Sequence, residues 1–380
     1  MATNREEKLI GRSQVNDIEA ILAVSNGDSD SKQHNIATEQ EVSFTWDYEQ
    51  TREPLRKLYE KAKTSQWNAN DLPWHLEVDQ EAVVAANQAA NSYLRQEGMD
   101  MSGTPFAKWG DKEWLAFGVE SQNWTLSQFL HGEQGALLCT AQIVETVPWI
   151  DAKYYASTQV VDEARHVEVF ARYLDTKLSG HYPINAHLKA LLDDIITDSR
   201  WDMTYLGMQV MVEGLALASF GFMRQMTTEP LLKQLLRYVM SDEARHVAFG
   251  VLSLQEYYKE LDGKEIRERQ EFAYEAAVRM RDRFLQQEVW ERMGVNVKDA
   301  VSFVMHAPDR TIFTGMLFSK IVPNCKKLGL LDAGDGWLRE KFTELGVIQY
   351  EDWADTSEEY SALNAVAQDR EEVTLQGVEQ

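Results

Sequence analysis

The chain has 380 residues, 44 % hydrophobic, and its 61 Asp and Glu outweigh 38 Lys and Arg to leave a net charge of −23. Such a composition builds a packed globular core and disfavours nucleic acid and anionic membrane surfaces as partners. Two cysteines at no paired spacing, Cys139 and Cys325, argue against a disulfide framework and for a cytoplasmic protein; no leader pattern and no run of about 18 apolar residues is present, so no membrane span is expected.

Only 8 Pro and 21 Gly interrupt the chain, which favours long helices. Residues 1–45 read as a mobile arm with one short apolar patch, Ile18–Val24. A helical stretch follows at Tyr48–Ala62, and the Asn, Asp and Pro between Trp67 and Trp74 mark a turn between two aromatic anchors. Val78–Gly98 has an Ala-rich helical pattern, and Lys112–Val147 reads as a long helix ended by Pro148. Further helices are expected at Trp149–Ser179, closed by Gly180 and Pro183, at Asn185–Thr227, at Glu229–Leu261 with Pro230 at its start, and at Glu265–Met293. Shorter pieces run to Gly346, and strand signals are weak throughout. The expected organisation is the arm, one helical domain over 46–345, and an acidic tail over 346–380; Glu351–Gln380 carries nine Asp and Glu against one Arg.

One hexapeptide, Asp-Glu-Ala-Arg-His-Val, occurs at Asp162–Val167 and again at Asp242–Val247. A helix sets residues i and i+3 on one face, so Glu163 and His166 point one way, as do Glu243 and His246. Glu133 and Glu213 each precede one pair by 30 residues, the distance up one helix, through a turn and back to the same height. One Glu from each of two helices and Glu-x-x-His from each of two others is the ligand set of carboxylate-bridged di-metal bundles. Carboxylate and imidazole suit Fe, Mn or Zn. Glu120 and Glu145 are the alternatives to Glu133, whereas Glu213 lies in the apolar stretch Met208–Phe222, where a charge needs a reason. Asp162 and Asp242 are placed to accept the free N–H of a ligand histidine, and Arg165 and Arg245 to neutralise those aspartates. His131 and Glu168 read as surface or supporting groups.

These residues resemble the ferritin-like di-iron superfamily. The Asp-Glu-x-Arg-His pattern is most similar to the hydroxylase subunits of bacterial multicomponent monooxygenases and to acyl-carrier-protein desaturases, over about Trp46–Tyr257. Gly132-Glu133-Gln134 and Gln66–Trp74 are loosely similar to segments of those hydroxylases. The resemblance implies an all-α fold, a ferritin-like four-helix bundle with flanking helices. It implies two Fe ions, or an Mn/Fe pair, with O₂ as co-substrate. It also implies a separate electron donor such as a ferredoxin or flavin reductase. Three positions depart from relatives. Leu217 stands where the monooxygenases carry a Thr, Phe170 where the ribonucleotide reductase small subunit carries its radical Tyr, and Val239 where arylamine N-oxygenases carry a third His.

Positions about one turn from the ligands are Phe129, Ala136, Leu137, Phe170, Gln209, Leu217 and Phe220. A dry apolar chamber of this kind suits an organic substrate, small or carrier-bound, with Gln209 as its one polar member. The expected function is an O₂-activating di-iron oxidase or oxygenase, with hydroxylation, desaturation, N-oxygenation and halogenation all open. The alternative is a metal or radical subunit like the ribonucleotide reductase small subunit or an Mn/Fe ligand-binding oxidase. Trp46, Trp67, Trp74 and Trp109 either line a homodimer interface or anchor the N-terminal segment on the bundle.

Overall fold

The computed structural model describes residues 4–27, 32–90, 101–306 and 308–353. Among the described residues every regular element is helical. In chain order they are α1 (Asn4–Ile10), α2 (Ile18–Leu22), α3 (Glu53–Thr64), α4 (Gln80–Ala90), α5 (Asp111–Thr146), α6 (Ile150–Lys177), α7 (Ala186–Thr197) and α8 (Trp201–Tyr205). A π-helical segment (Leu206–Val212) joins α8 directly to α9 (Glu213–Met226). After these come α10 (Pro230–Tyr257), α11 (Gly263–Arg283), α12 (Gln287–Arg292), α13 (Val297–His306), α14 (Pro308–Lys327) and α15 (Trp337–Glu344).

The all-α expectation holds, and four helices form the bundle that matters. α5 starts where Glu113 accepts the N–H of Gly110 at 2.9 Å and stops before Pro148. α6 returns along it. α10 starts at Pro230, where Glu229 accepts the N–H groups of Leu231 and Leu232 at 2.7 and 2.6 Å, and it packs back along α9. Two antiparallel hairpins result, each with its turn about midway between a lone glutamate and a Glu-x-x-His pair. α3 lies across α6 and α10, α14 covers α9, and α11 backs the π segment.

Trp201–Met226 is long and apolar enough to cross a membrane, but 78 % of its apolar window is buried inside the fold, as a core helix. Its π segment is accommodated by two glycines. A Cβ at Gly207 would lie 2.6 Å from Ile195 Cγ1, and one at Gly250 would lie 2.6 Å from Gln209 Cβ. A π turn inserts one extra residue and swings the next side chains around the axis, here Glu213. Gly250→Ala presses on the stem of Gln209, a group with no freedom to swing aside. We expect it to destabilise the protein by about 1–3 kcal/mol, measurable as a lower denaturant midpoint.

Three sequence expectations are corrected. Asn185–Thr227 is not one helix: Asp198 turns extended and its carboxylate accepts the N–H of Arg200 at 3.0 Å, an Asx turn that separates α7 from α8. Glu265–Met293 is also two helices, broken at Gln286, whose φ of 53° is left-handed. The region beyond contains one long helix, α14, which continues through Pro323 because Ile321, Val322 and Cys325 around it are buried against the core.

Within the segment expected to be a mobile arm, Ile21 is buried, and buried Arg12 donates to Asp282 and to the carbonyl of Val15. The Trp74 ring lies under the guanidinium of Arg172 on α6, 4.2 Å from its centroid, and Trp109 joins a cluster with Phe106, Trp114 and Trp290, so both anchor segments to the bundle. Trp46 is 79 % exposed. Residues 91–98 of the helix expected at Val78–Gly98, and most of the acidic tail, lie outside the described residues.

Candidate metal centre

α5 brings Glu133, α6 brings Glu163 and His166, α9 opens with Glu213, and α10 brings Glu243 and His246. All six side chains meet in the middle of the bundle, each at most 5 % exposed. Their donor atoms form two overlapping groups: Glu133, Glu163, His166 and Glu243, and Glu163, Glu213 and His246. Glu163 belongs to both. His166 Nδ1 lies 3.1 Å from Glu133 Oε2, 3.1 Å from Glu243 Oε1 and 3.4 Å from Glu163 Oε2. His246 Nδ1 lies 3.0 Å from Glu163 Oε1, 3.7 Å from Glu243 Oε2 and 3.8 Å from Glu213 Oε2.

Both Nδ1 atoms face the carboxylates, and both Nε2 atoms face away. His166 Nε2 is 3.2 Å from Asp242 Oδ2, and His246 Nε2 is 3.4 Å from Asp162 Oδ2. Each histidine is therefore held by the aspartate of the other hexapeptide. That contact suits an Nε2–H donor and turns Nδ1 toward the glutamates, where it would serve a bound metal. Arg165 and Arg245 each bind the aspartate of their own turn and reach across, Arg165 to Asp242 at 3.4 Å and Arg245 to Asp162 at 3.3 Å. Two buried aspartates and two arginines thus form a closed square beneath the histidines.

Three supporting residues were not assigned from sequence. Gln66 donates to Asp162 at 3.2 Å and accepts from Arg165 at 2.8 Å. The indole N–H of Trp67 donates to Asp242 at 2.7 Å, while the Arg165 guanidinium lies 4.7 Å over its ring. Gln159 donates to Glu163 and Glu213, both at 3.0 Å. Gln159 was findable, one turn ahead of Glu163 on the same face. Glu120 and Glu145 do not compete with Glu133: Glu120 accepts from Tyr182 at 2.7 Å, and Glu145 is exposed at the helix end. His131 contacts Tyr182 O at 3.0 Å, and Glu168 is exposed.

Six ionisable side chains in one dry volume perturb one another. Burial, then the charge of Glu243, pushes Glu133 up to about 8. Burial and Glu163 push Glu213 well above the usual carboxylate range. Burial opposes charge on Glu163 too, but His246 and His166 outweigh it and hold its carboxyl below that range. Burial likewise opposes charge on both histidines, and the carboxylates prevail: Glu133 and Asp242 raise His166, and Glu163 raises His246.

For the metal-free protein these directions set a pH dependence. Glu133 keeps in the folded state a proton that the unfolded chain releases between its ordinary 4.5 and about 8. Stability falls with rising pH wherever the folded state binds more protons, so Glu133 destabilises progressively across that window. The raised histidines add stability below about 6.5 that is lost at higher pH, in the same direction. The lowered Glu163 costs stability only as pH falls below the usual carboxylate range. The melting temperature of metal-free protein should therefore drop from pH 5 to pH 8, and the increment on adding metal should grow, because bound ions displace these protons. Thermal melts with and without metal at each pH check this.

Of the seven expected pocket positions, Phe129, Phe170 and Phe220 pack together, Phe129 edge-on to Phe220 with centroids 4.6 Å apart. Ala136 joins the core cluster, Leu217 is buried and Leu137 is half-buried. Gln209 is fully buried in the π segment, and neither end of its amide has a hydrogen-bond partner. At the radical-tyrosine position stands Phe170; Tyr173, three residues on, donates to Glu229 at 2.9 Å.

No protein-family model matches the chain, and no curated protein matches it by sequence. Solved structures do. An R2-like ligand-binding oxidase with an aerobically reconstituted metal cofactor, after photoconversion, is 18 % identical, with 73 % of this chain and 94 % of that one covered and a TM-score of 0.50. A variant of an R2-like ligand-binding oxidase with an anaerobically reconstituted Mn/Fe cofactor is 19 % identical over the same shares, with a TM-score of 0.47. The chain thus has the all-α, ferritin-like bundle fold that the R2-like ligand-binding oxidases also adopt.

Proposed function

We propose that the buried cluster holds two divalent first-row metal ions and that the protein is a non-haem di-iron oxidoreductase. It uses O₂ to oxidise an organic substrate. The observation that carries this reading is the pair of overlapping donor groups sharing Glu163. The donors also fit ions. Glu163 Oε2, Glu213 Oε2, both oxygens of Glu243 and His246 Nδ1 are buried without a hydrogen-bond partner. Polar atoms left so are costly unless something binds them. Carboxylate and imidazole donors suit Fe and Mn alike, so an Fe pair and an Mn/Fe pair both match the site.

Glu133, Glu163 and Glu243 with His166 would hold one ion, and Glu163 and Glu213 with His246 the other. When bound and reduced, such a pair supplies the electrons and the Lewis acidity that O₂ reduction needs. The remaining work falls to the chain itself. Asp162 and Asp242 hold the two imidazoles oriented toward the carboxylates. Gln159 positions Glu163 and Glu213, and Phe129, Phe170 and Phe220 keep water from one side of the cluster. Turnover requires reducing equivalents, for which a ferredoxin or flavin reductase is the proposed source. A cytoplasmic setting is proposed with it.

Protein loaded anaerobically with Fe(II), or with Mn(II) and Fe(II), and then exposed to O₂ should consume O₂ and change its visible absorption. Loaded protein that leaves O₂ untouched, with and without a chemical reductant, would contradict the oxidase reading.

A further inference from the structure

A cavity of about 550 Å³ lies between α4, α5, α9 and the turn joining α11 to α12. Phe129 forms part of its wall, and this ring also belongs to the aromatic cluster one turn from Glu133. Cavity and carboxylate cluster therefore share a partition. The rest of the wall is dominated by rings and thioethers such as Trp114, Phe117 and Met223. Its polar lining consists of hydroxyls and carboxamides, and among the described residues lining it none is charged.

Two features mark the chamber as built for a ligand. Ser219 lines it, is 5 % exposed, and its hydroxyl has no hydrogen-bond partner. A helical serine ordinarily satisfies itself on a carbonyl one turn back; this one is left as a buried donor and acceptor at the cavity wall. Across from it the chain holds Gln286 in a left-handed conformation, its side-chain oxygen accepting from Ser121 at 3.1 Å. A non-glycine residue kept there is strained, and such strain collects at functional sites.

We propose that this cavity binds the substrate, and that the substrate is an uncharged, mainly apolar molecule bearing one hydrogen-bonding group, an amide, ketone or alcohol, that meets Ser219. The assignment as substrate rests on reading the carboxylate cluster as the metal centre. An ionised head group would leave water for a chamber without a counter-ion, and an anion would also enter a protein of net charge −23.

The test is calorimetric titration of metal-loaded protein with two matched sets: 2-naphthamide, 2-naphthoate and 2-naphthylmethylammonium, and decanamide with decanoate. In at least one set the amide should bind about tenfold or more tighter than its charged counterparts. Ser219→Ala should weaken the amide about fivefold. Thr125→Trp, which fills the chamber two turns from Glu133, should abolish binding while metal content stays unchanged. Acids that bind as tightly as the amides, no amide binding in either set, or affinity unmoved by both substitutions would overturn the proposal. Metal is counted on the same samples, which separates the two readings. Selective amide binding by a chain that takes up no metal refutes the metal centre and leaves the neutral-ligand cavity. Two metals without selectivity refute the cavity alone.

Discussion

Glu163→Gln yields a folded protein that retains well under one metal ion per chain, where the parent holds about two. The reason is position. Among the described residues Glu163 belongs to both donor groups and makes the tighter link between them: its oxygens lie 3.4 Å from His166 and 3.0 Å from His246, against 3.1 and 3.7 Å for Glu243. A carboxamide of the same shape removes the charge and presents N–H to cations. Glu213→Gln touches only the group with His246, so it should retain about one ion per chain. Elemental analysis after identical reconstitution, with circular dichroism to confirm the helical fold, distinguishes the two. Equal losses in both variants would mean that Glu163 does not connect the sites.

Arg245→Met gives the largest expected loss of stability, about 3–5 kcal/mol. Arg245 is fully buried and donates to Asp242, to Asp162 at 3.3 Å and to the carbonyl of Ser241 at 3.2 Å. Methionine fills the space but leaves the two buried aspartates one guanidinium, that of Arg165, between them. Burying charges without partners costs more than the pair ever contributed. Adding Asp242→Asn removes one of the stranded charges, so the double variant should be more stable than the two single losses summed. Denaturant midpoints of the four proteins in that cycle measure the coupling. Strict additivity would show that the square of aspartates and arginines is not an energetic unit.

The buried cluster of carboxylates and histidines was legible in the sequence because its spacing is local. Three-residue spacing puts Glu163 with His166 whatever the rest of the chain does, and two equal 30-residue intervals match two hairpins of equal depth. What was illegible is tertiary. Gln66 and Trp67 reach Asp162 and Asp242 from 96 and 175 residues upstream, delivered by the way α3 lies over α6 and α10. Which aspartate serves which histidine could not be read either, since the exchange between hexapeptides depends on how α6 faces α10. The π segment Leu206–Val212 has the composition of an ordinary buried helix, and only its close contacts with Ile195 and Gly250 reveal why it widens. The breaks at Asp198 and Gln286 occur without Gly or Pro, so breaker residues gave no warning.

The central claim is that six side chains from four helices hold a pair of metal ions. Anomalous X-ray diffraction at the iron edge, on crystals of protein reconstituted with Fe(II), tests it most directly. The account predicts two peaks roughly 3.5–4 Å apart, one within reach of Glu133, Glu163, His166 and Glu243, the other within reach of Glu163, Glu213 and His246. A metal-replete solution with no peak between these residues, or peaks only at the surface, would contradict it.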